Sequence, residues 1–371
     1  MKVTKSRSLV TVIVVLLCLL SLLVLDVKAQ SRTITVPDDF ATIQEAINNA
    51  NDGDIIYVEN GVYLGNIMID KEIILKGENR SQTILDANNS GMVLQITSKK
   101  VTITGFTIRN SGGLSQGAES SGINLWHSNY ANVSNNIIID NSKGIQIVDS
   151  HSITITNNLI KSSGWSGIDI DGWTRQNYNI ITNNTIESNK VAIDLSSTNK
   201  TIVSGNVLSK NEQELYLVNV YDNNFYGNNI TSNSIIITFN WVQNSSFYLN
   251  NFFGKLFYED EGWLHPPWIE NSSINKWDNS SVGNYWIDYS GLDSNVNGIG
   301  DSPHIINENN QDNYPLMTPI SIIESTPAPS TSPTPLPPIR FYNPYLILFG
   351  STLLLIALGI LAYFKKYKGR S

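Results

Sequence analysis

Three carboxylates and one guanidinium offer the sharpest chemistry in this 371-residue chain: Asp169, Asp171, Asp194 and Arg175. In Gly167-Ile168-Asp169-Ile170-Asp171 the alternation of apolar and polar residues puts both aspartates on one side of a strand. Asp194 holds the matching place in Ala192-Ile193-Asp194-Leu195. Glycoside hydrolysis needs two carboxyl groups about 5 to 9 Å apart. Asp169 and Asp194 meet that need if they stand one turn apart, whereas Asp169 and Asp171 could flank a substrate within one strand, with Arg175 as the helper of an esterase or lyase. Asn124, Gln146 and Tyr216 fill the same place in sister phrases, with Trp126, His127, Asp149 and Trp173 beside them. Amides, carboxylates and aromatic planes in one row could hold a sugar chain. Any solvated strand face carries such residues too, so the row also reads as plain surface.

A second constellation lies near the C-terminus. Asp293, Asn295, Asn297, the Ile299 carbonyl and Asp301, with Gly298 at the bend, follow the first nine positions of a calcium loop. His304 stands where the bidentate Glu belongs, so Asp288 or Glu308 would have to complete the shell. Calcium is the one cofactor this pattern suggests. An Asx/Gly turn without metal is the alternative.

Composition removes several classes. Between Ser31 and Pro338 there are 15 basic and 31 acidic residues, and phosphate-backbone binding needs a basic face, so nucleic acid is not an expected partner. The one cysteine, Cys18, lies in an apolar N-terminal run; once that run is removed, disulfides, thiolate metal sites and a cysteine nucleophile go together. Nine Asn-x-Ser/Thr triplets, at Asn79, Asn88, Asn132, Asn183, Asn199, Asn229, Asn244, Asn271 and Asn279, are candidate glycan acceptors on an exported domain.

The elements that would position these groups form a repeat. Phrases such as Thr154-Ile155-Thr156-Asn157-Asn158-Leu159-Ile160 recur, with an Asn in register at 136, 158, 184, 206, 229 and 251, in steps of 22, 26, 22, 23 and 22 residues. The Gly-Ile-Asp-Ile type of phrase keeps the same beat. Strands this short, without crossover helices, bury their apolar sides only by coiling and stacking at about 4.8 Å per turn. Inward Ile, Val and Leu then form one column, and the recurrent Asn serves bends and amide ladders. About 200 residues from Ile55 to Phe253 give roughly nine turns. Thr42-Ile43-Gln44-Glu45 predicts a capped helix over the open N-terminal end. Over-length steps place loops at Ser111 to Ser120 and Gly172 to Asn177, and aromatic-rich residues 254–320 read as the C-terminal cap.

At the ends, residues 1–29 read as a signal peptide and 321–340 as a Pro/Ser/Thr stalk. Residues 345–364 have the length and apolarity of one transmembrane helix, and 365–371 form a basic cytoplasmic tail. The expectation is a single-pass type I cell-membrane protein with residues 30–253 as an extracellular all-β solenoid.

The opening Ile34-Thr35-Val36-Pro37-Asp38-Asp39-Phe40-Ala41-Thr42-Ile43-Gln44-Glu45-Ala46-Ile47, then Gly61-Val62-Tyr63, the Asn-Asn phrases, Gly283-Asn284-Tyr285-Trp286 and Asn313-Tyr314-Pro315-Leu316 together resemble the pectin-lyase-like right-handed parallel β-helices. Within these, the chain is most similar to the NosD-like, carbohydrate-binding and sugar-hydrolase repeat group of archaeal exported proteins. The resemblance implies the fold; the superfamily includes lyases, hydrolases, esterases, epimerases and binders. Members linked to copper imply Met, His or Cys ligands. Met68, Met92, Met317, His127, His151, His265 and His304 are scattered here, so copper is not expected. The paired aspartates and His-Gly turn of polygalacturonases are absent. The leading expectation is a membrane-anchored surface module, structural or adhesive, with affinity for polysaccharide. The alternative is a tethered polysaccharide lyase, glycoside hydrolase or esterase.

Overall fold

Every strand of the solenoid stacks parallel on the strand one turn earlier, in three sheets. The structure is a computed structural model that describes residues 31–113, 120–232, 235–254, 275–307 and 309–322. The chain divides into two compact units, Met1–Ala328 and Pro329–Ser371, and the second lies wholly outside the described residues.

The first and second sheets each hold ten strands. The count from sequence is therefore corrected from about nine turns to about ten, because Thr33–Val36 already pairs with Ile55–Val58 and the cap strand Tyr285–Trp286 extends the second sheet. The third sheet runs from Ile67–Ile69 through Leu94–Ile96, Ser121–Trp126, Lys143–Val148, Ser166–Asp171 and Val191–Ser196 to Gln213–Tyr221 and Ile235–Gln243. Alternation decides which side of each strand is buried. Ile123, Ile145, Ile168 and Ile193 are in register and fully buried, one file of an apolar core that runs the length of the coil.

Polar backbone at the corners is satisfied by amides inside the coil. The Asn136 side chain donates to Asn158, Asn158 to Asn184, Asn184 to Asn206, Asn206 to Asn228, Asn228 to Asn250 and Asn250 to Asn284, at 2.9 to 3.2 Å. The sequence register is corrected at its last two members: the ladder uses Asn228 and Asn250, while Asn229 and Asn251 are strand residues of the second sheet. The column ends on Asp312, whose carboxylate accepts the Asn284 backbone N–H at 2.7 Å and the Trp286 indole at 2.8 Å. Burial pushes the Asp312 carboxyl up to about 6 against those donors.

Both ends are closed. Helix Ile43–Asn49 starts with the capping box of Thr42 and Glu45, buries Ile43, Ala46 and Ile47, and ends where the Lys71 ammonium donates to the carbonyls of Ile47, Asn48 and Ala50. At the other end the aromatic column Phe225, Phe247 and Trp277 stacks at 4.5 and 4.7 Å, and Phe252, Trp286 and His304 stack at 4.5 Å per step.

Corners repeat a left-handed residue turn after turn. The corner leading from the third sheet to the first uses Lys100, Tyr130, Ser152, Tyr178, Lys200, Asp222 and Asn244, with φ between 51 and 62°. A bulky side chain costs about 1 to 2 kcal/mol there, which Gly avoids and Asn reduces.

The membrane part of the sequence reading receives no support. Among the described residues no helix is long and apolar enough to cross a membrane, the helix present being the seven-residue Ile43–Asn49. Among the described residues the fold is corrected to a β-solenoid with one short helix and no transmembrane helix, and nothing there supports the expected membrane partnership or single-pass placement. The segments read as signal peptide (1–29), span (345–364), tail (365–371) and all but the first two residues of the stalk lie outside the described residues.

Candidate functional site

The third sheet gathers the polar row. Its register runs Met68, Gln95, Asn124, Gln146, Asp169, Asp194, Tyr216, Thr238, one residue per turn on the side opposite the core. The row is not uniformly open. Asn124, Gln146 and Asp169 are buried, and the Asn124 amide donates to the Gln146 carbonyl at 3.0 Å. Asp194 and Tyr216 are half-buried, and Asp171 at the strand end is exposed.

Asp169 and Asp194 are direct cross-strand partners, so their Cα atoms lie about 4.8 Å apart. Their surroundings differ. Asp169 is ion-paired at 2.6 Å to Lys143, a buried-side partner that sequence reasoning did not single out. Asp194 has only Ser196 Oγ, at 3.5 Å. Burial, and then the charges of Asp169 and Asp171, push its carboxyl up to about 7, while Lys143 opposes this. A carboxyl pushed toward its protonated form beside other carboxylates is an arrangement that acid–base chemistry on a sugar can use.

Aromatic residues stand at the strand ends of this sheet. Trp126 and Trp173 are exposed, Trp173 almost completely, and His127 lies 5.2 Å from the Trp126 ring. The Arg175 guanidinium stacks 4.4 Å above the Tyr221 ring. Asp149 accepts the backbone N–H and hydroxyl of Thr174, both at 2.8 Å, and so shapes the Gly172–Asn177 loop. Burial raises the Asp149 carboxyl, but those bonds outweigh it and hold it below the usual range.

The loop at Asp293 to Asp301 is folded as successive Asx turns. Asp293 accepts from Asn297 and Gly298, Asn297 accepts from Ile299, Asp301 accepts from Ser294, and Gly298 takes φ +85°. His304 is drawn away onto Trp286, with Asp288 at 3.9 Å, and Glu308 lies outside the described residues. Among the described residues no three His, Cys, Asp or Glu side chains cluster as a metal site; amide and carbonyl oxygens of Asn295, Asn297 and Ile299 would have to supply the rest. Of the glycan candidates, Asn88, Asn183, Asn244 and Asn279 are exposed, Asn79, Asn132, Asn199 and Asn229 are half-buried, and Asn271 lies outside the described residues.

Fold and row together define a class: a right-handed parallel β-helix with an acidic, aromatic-rimmed outer face. Residues 48–176 and 121–260 match the profile of the right handed beta helix region, and the chain belongs to that family. A cell surface glycoprotein of Methanothermus fervidus is 29% identical over 160 residues, 42% of this chain and 22% of that protein, so the chain spans about a fifth of that relative. Among solved structures it is similar to an alginate lyase from Paenibacillus sp. str. FPU-7 (TM-score 0.50, 18% identity, 68% of this chain and 97% of that one). It is also similar to DFA-IIIase from Arthrobacter chlorophenolicus A6 without its lid in complex with GF2 (TM-score 0.54, 14% identity, 72% and 83%). At these identities the likeness is one of fold.

Proposed function

We propose that the chain is a polysaccharide-acting β-helix enzyme that hydrolyses glycosidic bonds on the outer face of the third sheet. The observation that carries this reading is the Asp169/Asp194 pair, in register, with Asp194 pushed up to about 7. Asp194 donates its proton to the leaving glycosidic oxygen. Asp171, exposed and diagonal to Asp194, takes a proton from the water that attacks the anomeric carbon; a diagonal cross-strand separation of about 7 to 8 Å leaves room for that water. Asp169, held by Lys143, is a positioning residue that keeps Asp194 protonated.

A second reading, glycan binding without turnover, is favoured by the burial of Asn124, Gln146 and Asp169, which makes part of the row structural. Incubating the protein with neutral and acidic polysaccharides and measuring new reducing ends separates the two. Hydrolysis that falls at least about a hundredfold in Asp194→Asn is the expected result. Retention of a polysaccharide with no reducing ends released from any of them refutes hydrolysis and leaves the binder.

A further inference from the structure

Two tyrosines occupy corner positions that favour other residues. Tyr130 (φ 62°) and Tyr178 (φ 60°) belong to the left-handed file between the third and first sheets, whose other members are Lys, Ser, Asp and Asn. A ring placed there against conformational preference should repay the strain by packing, yet Tyr130 is 61% and Tyr178 57% exposed. Lys200 Nζ donates to the Tyr178 hydroxyl at 3.4 Å, yet more than half of each residue's surface stays open.

Their spacing is regular. The backbone N–H of Tyr130 bonds to the carbonyl of His151, that of Ser152 to Asn177 and that of Tyr178 to Asn199, so the two rings stand two turns apart with the small Ser152 between. At about 4.8 Å per turn the separation is roughly 9 to 10 Å, comparable with the disaccharide step of an extended glycan. Trp173, 97% exposed, projects from the turn that leads into Tyr178. Nearby cations are already engaged with rings: Lys200 lies 5.3 Å from the Tyr178 centroid and Arg175 4.4 Å from that of Tyr221. The neighbouring face carries Asp149, held ionised by Thr174, and the exposed Asp171, whose charges repel a polyanion.

We propose that Tyr130 and Tyr178, with Trp173, form a stacking track that holds an uncharged, extended polysaccharide along the coil axis. The track shares the polysaccharide reading given above but stands apart from the carboxylates and does not depend on turnover. Each ring presents its apolar face to one sugar face, and aspartates on the flanking sheet select against uronate polymers.

The test uses the full chain, with xylan and hydroxyethyl cellulose as neutral probes and alginate and polygalacturonate as anionic ones, read by affinity electrophoresis. Wild type should be retarded by a neutral probe, Tyr130→Asn and Tyr178→Asn should each weaken retardation about tenfold, and the double variant should abolish it. Because Asn suits the left-handed corner, the variants should melt at or above the wild-type temperature, an outcome a packing role would reverse. Unchanged neutral-polymer affinity in the double variant, preference for alginate or polygalacturonate, or no retardation of wild type by either neutral probe overturns the proposal. Retardation that depends on the tyrosines but comes with no cleavage refutes hydrolysis while the track stands.

Discussion

Glu214 should make this protein less stable as the solution becomes alkaline. Its side chain is fully buried beside a second amide pair, in which Asn189 donates to Asn211 at 3.0 Å; Oε2 accepts from Asn211 at 2.6 Å and Oε1 has no hydrogen-bond partner. Burial pushes the carboxyl from 4.5 up to about 8, with Asn211 pulling weakly the other way. Between those two values the native state holds a proton that the unfolded chain has released. Stability from this group is therefore complete below 4.5 and is lost as pH climbs through about 8. At about 1.4 kcal/mol per pKa unit the ceiling is about 5 kcal/mol, and local relaxation toward water should leave about 2 to 3. Glu214→Gln keeps a neutral side chain of the same shape at every pH. Thermal unfolding followed by circular dichroism at pH 5 and pH 8.5 should show the two proteins melting together at pH 5. At pH 8.5 the Gln variant should melt about 5 °C higher, at about 2 °C per kcal/mol for a domain of this size. Asp194 and Asp312 contribute in the same direction to both proteins, so the comparison isolates Glu214. An identical loss of melting temperature from pH 5 to pH 8.5 in both would refute the reasoning.

Other sites give equally direct outcomes. Asn206→Ala should destabilise by about 3 kcal/mol or more in denaturant titration, because it strips partners from Asn184, Asn228 and the carbonyls of Ile181 and Ser204 at once. If the enzyme reading holds, Lys143→Met should move the alkaline limb of the pH–rate profile upward, since Lys143 opposes the rise in the Asp194 carboxyl; an unmoved limb contradicts the role given to Asp169. Calorimetric titration should detect calcium at the Asp293 loop with a dissociation constant of about 0.1 to 1 mM, lost in Asp293→Ala; a flat trace with wild type would remove the metal from the account.

The coil was legible because burial alternates with period two and chain length repeats in steps of 22. The inward Ile123, Ile145, Ile168 and Ile193 follow from those two facts alone. The ladder register failed where Asn228-Asn229 and Asn250-Asn251 offer two candidates each. A signal was present: every ladder Asn from 136 to 250 directly follows a left-handed residue, and Gly205, Gly227 and Leu249 fill that place as Asn135, Asn157 and Asn183 do. The burial of Asn124 and Gln146 was not legible, since strand parity gives a side of the sheet and says nothing of what lies over it. Lys143, Glu214 and Asp312 were missed for a related reason: each is a charge whose meaning depends on a partner 3 to 28 residues away.

The one-way column of amides also has a consequence for length. Each member hands its N–H to an identical neighbour, so the column is indifferent to how many neighbours come before it. Duplicating one 22-residue phrase would lengthen the molecule by about 4.8 Å while the helical lid at one end and the tryptophan plug at the other met the same surfaces as before. Reach is thus a quantity that gene duplication can adjust one notch at a time, like a ruler cut to the object it measures.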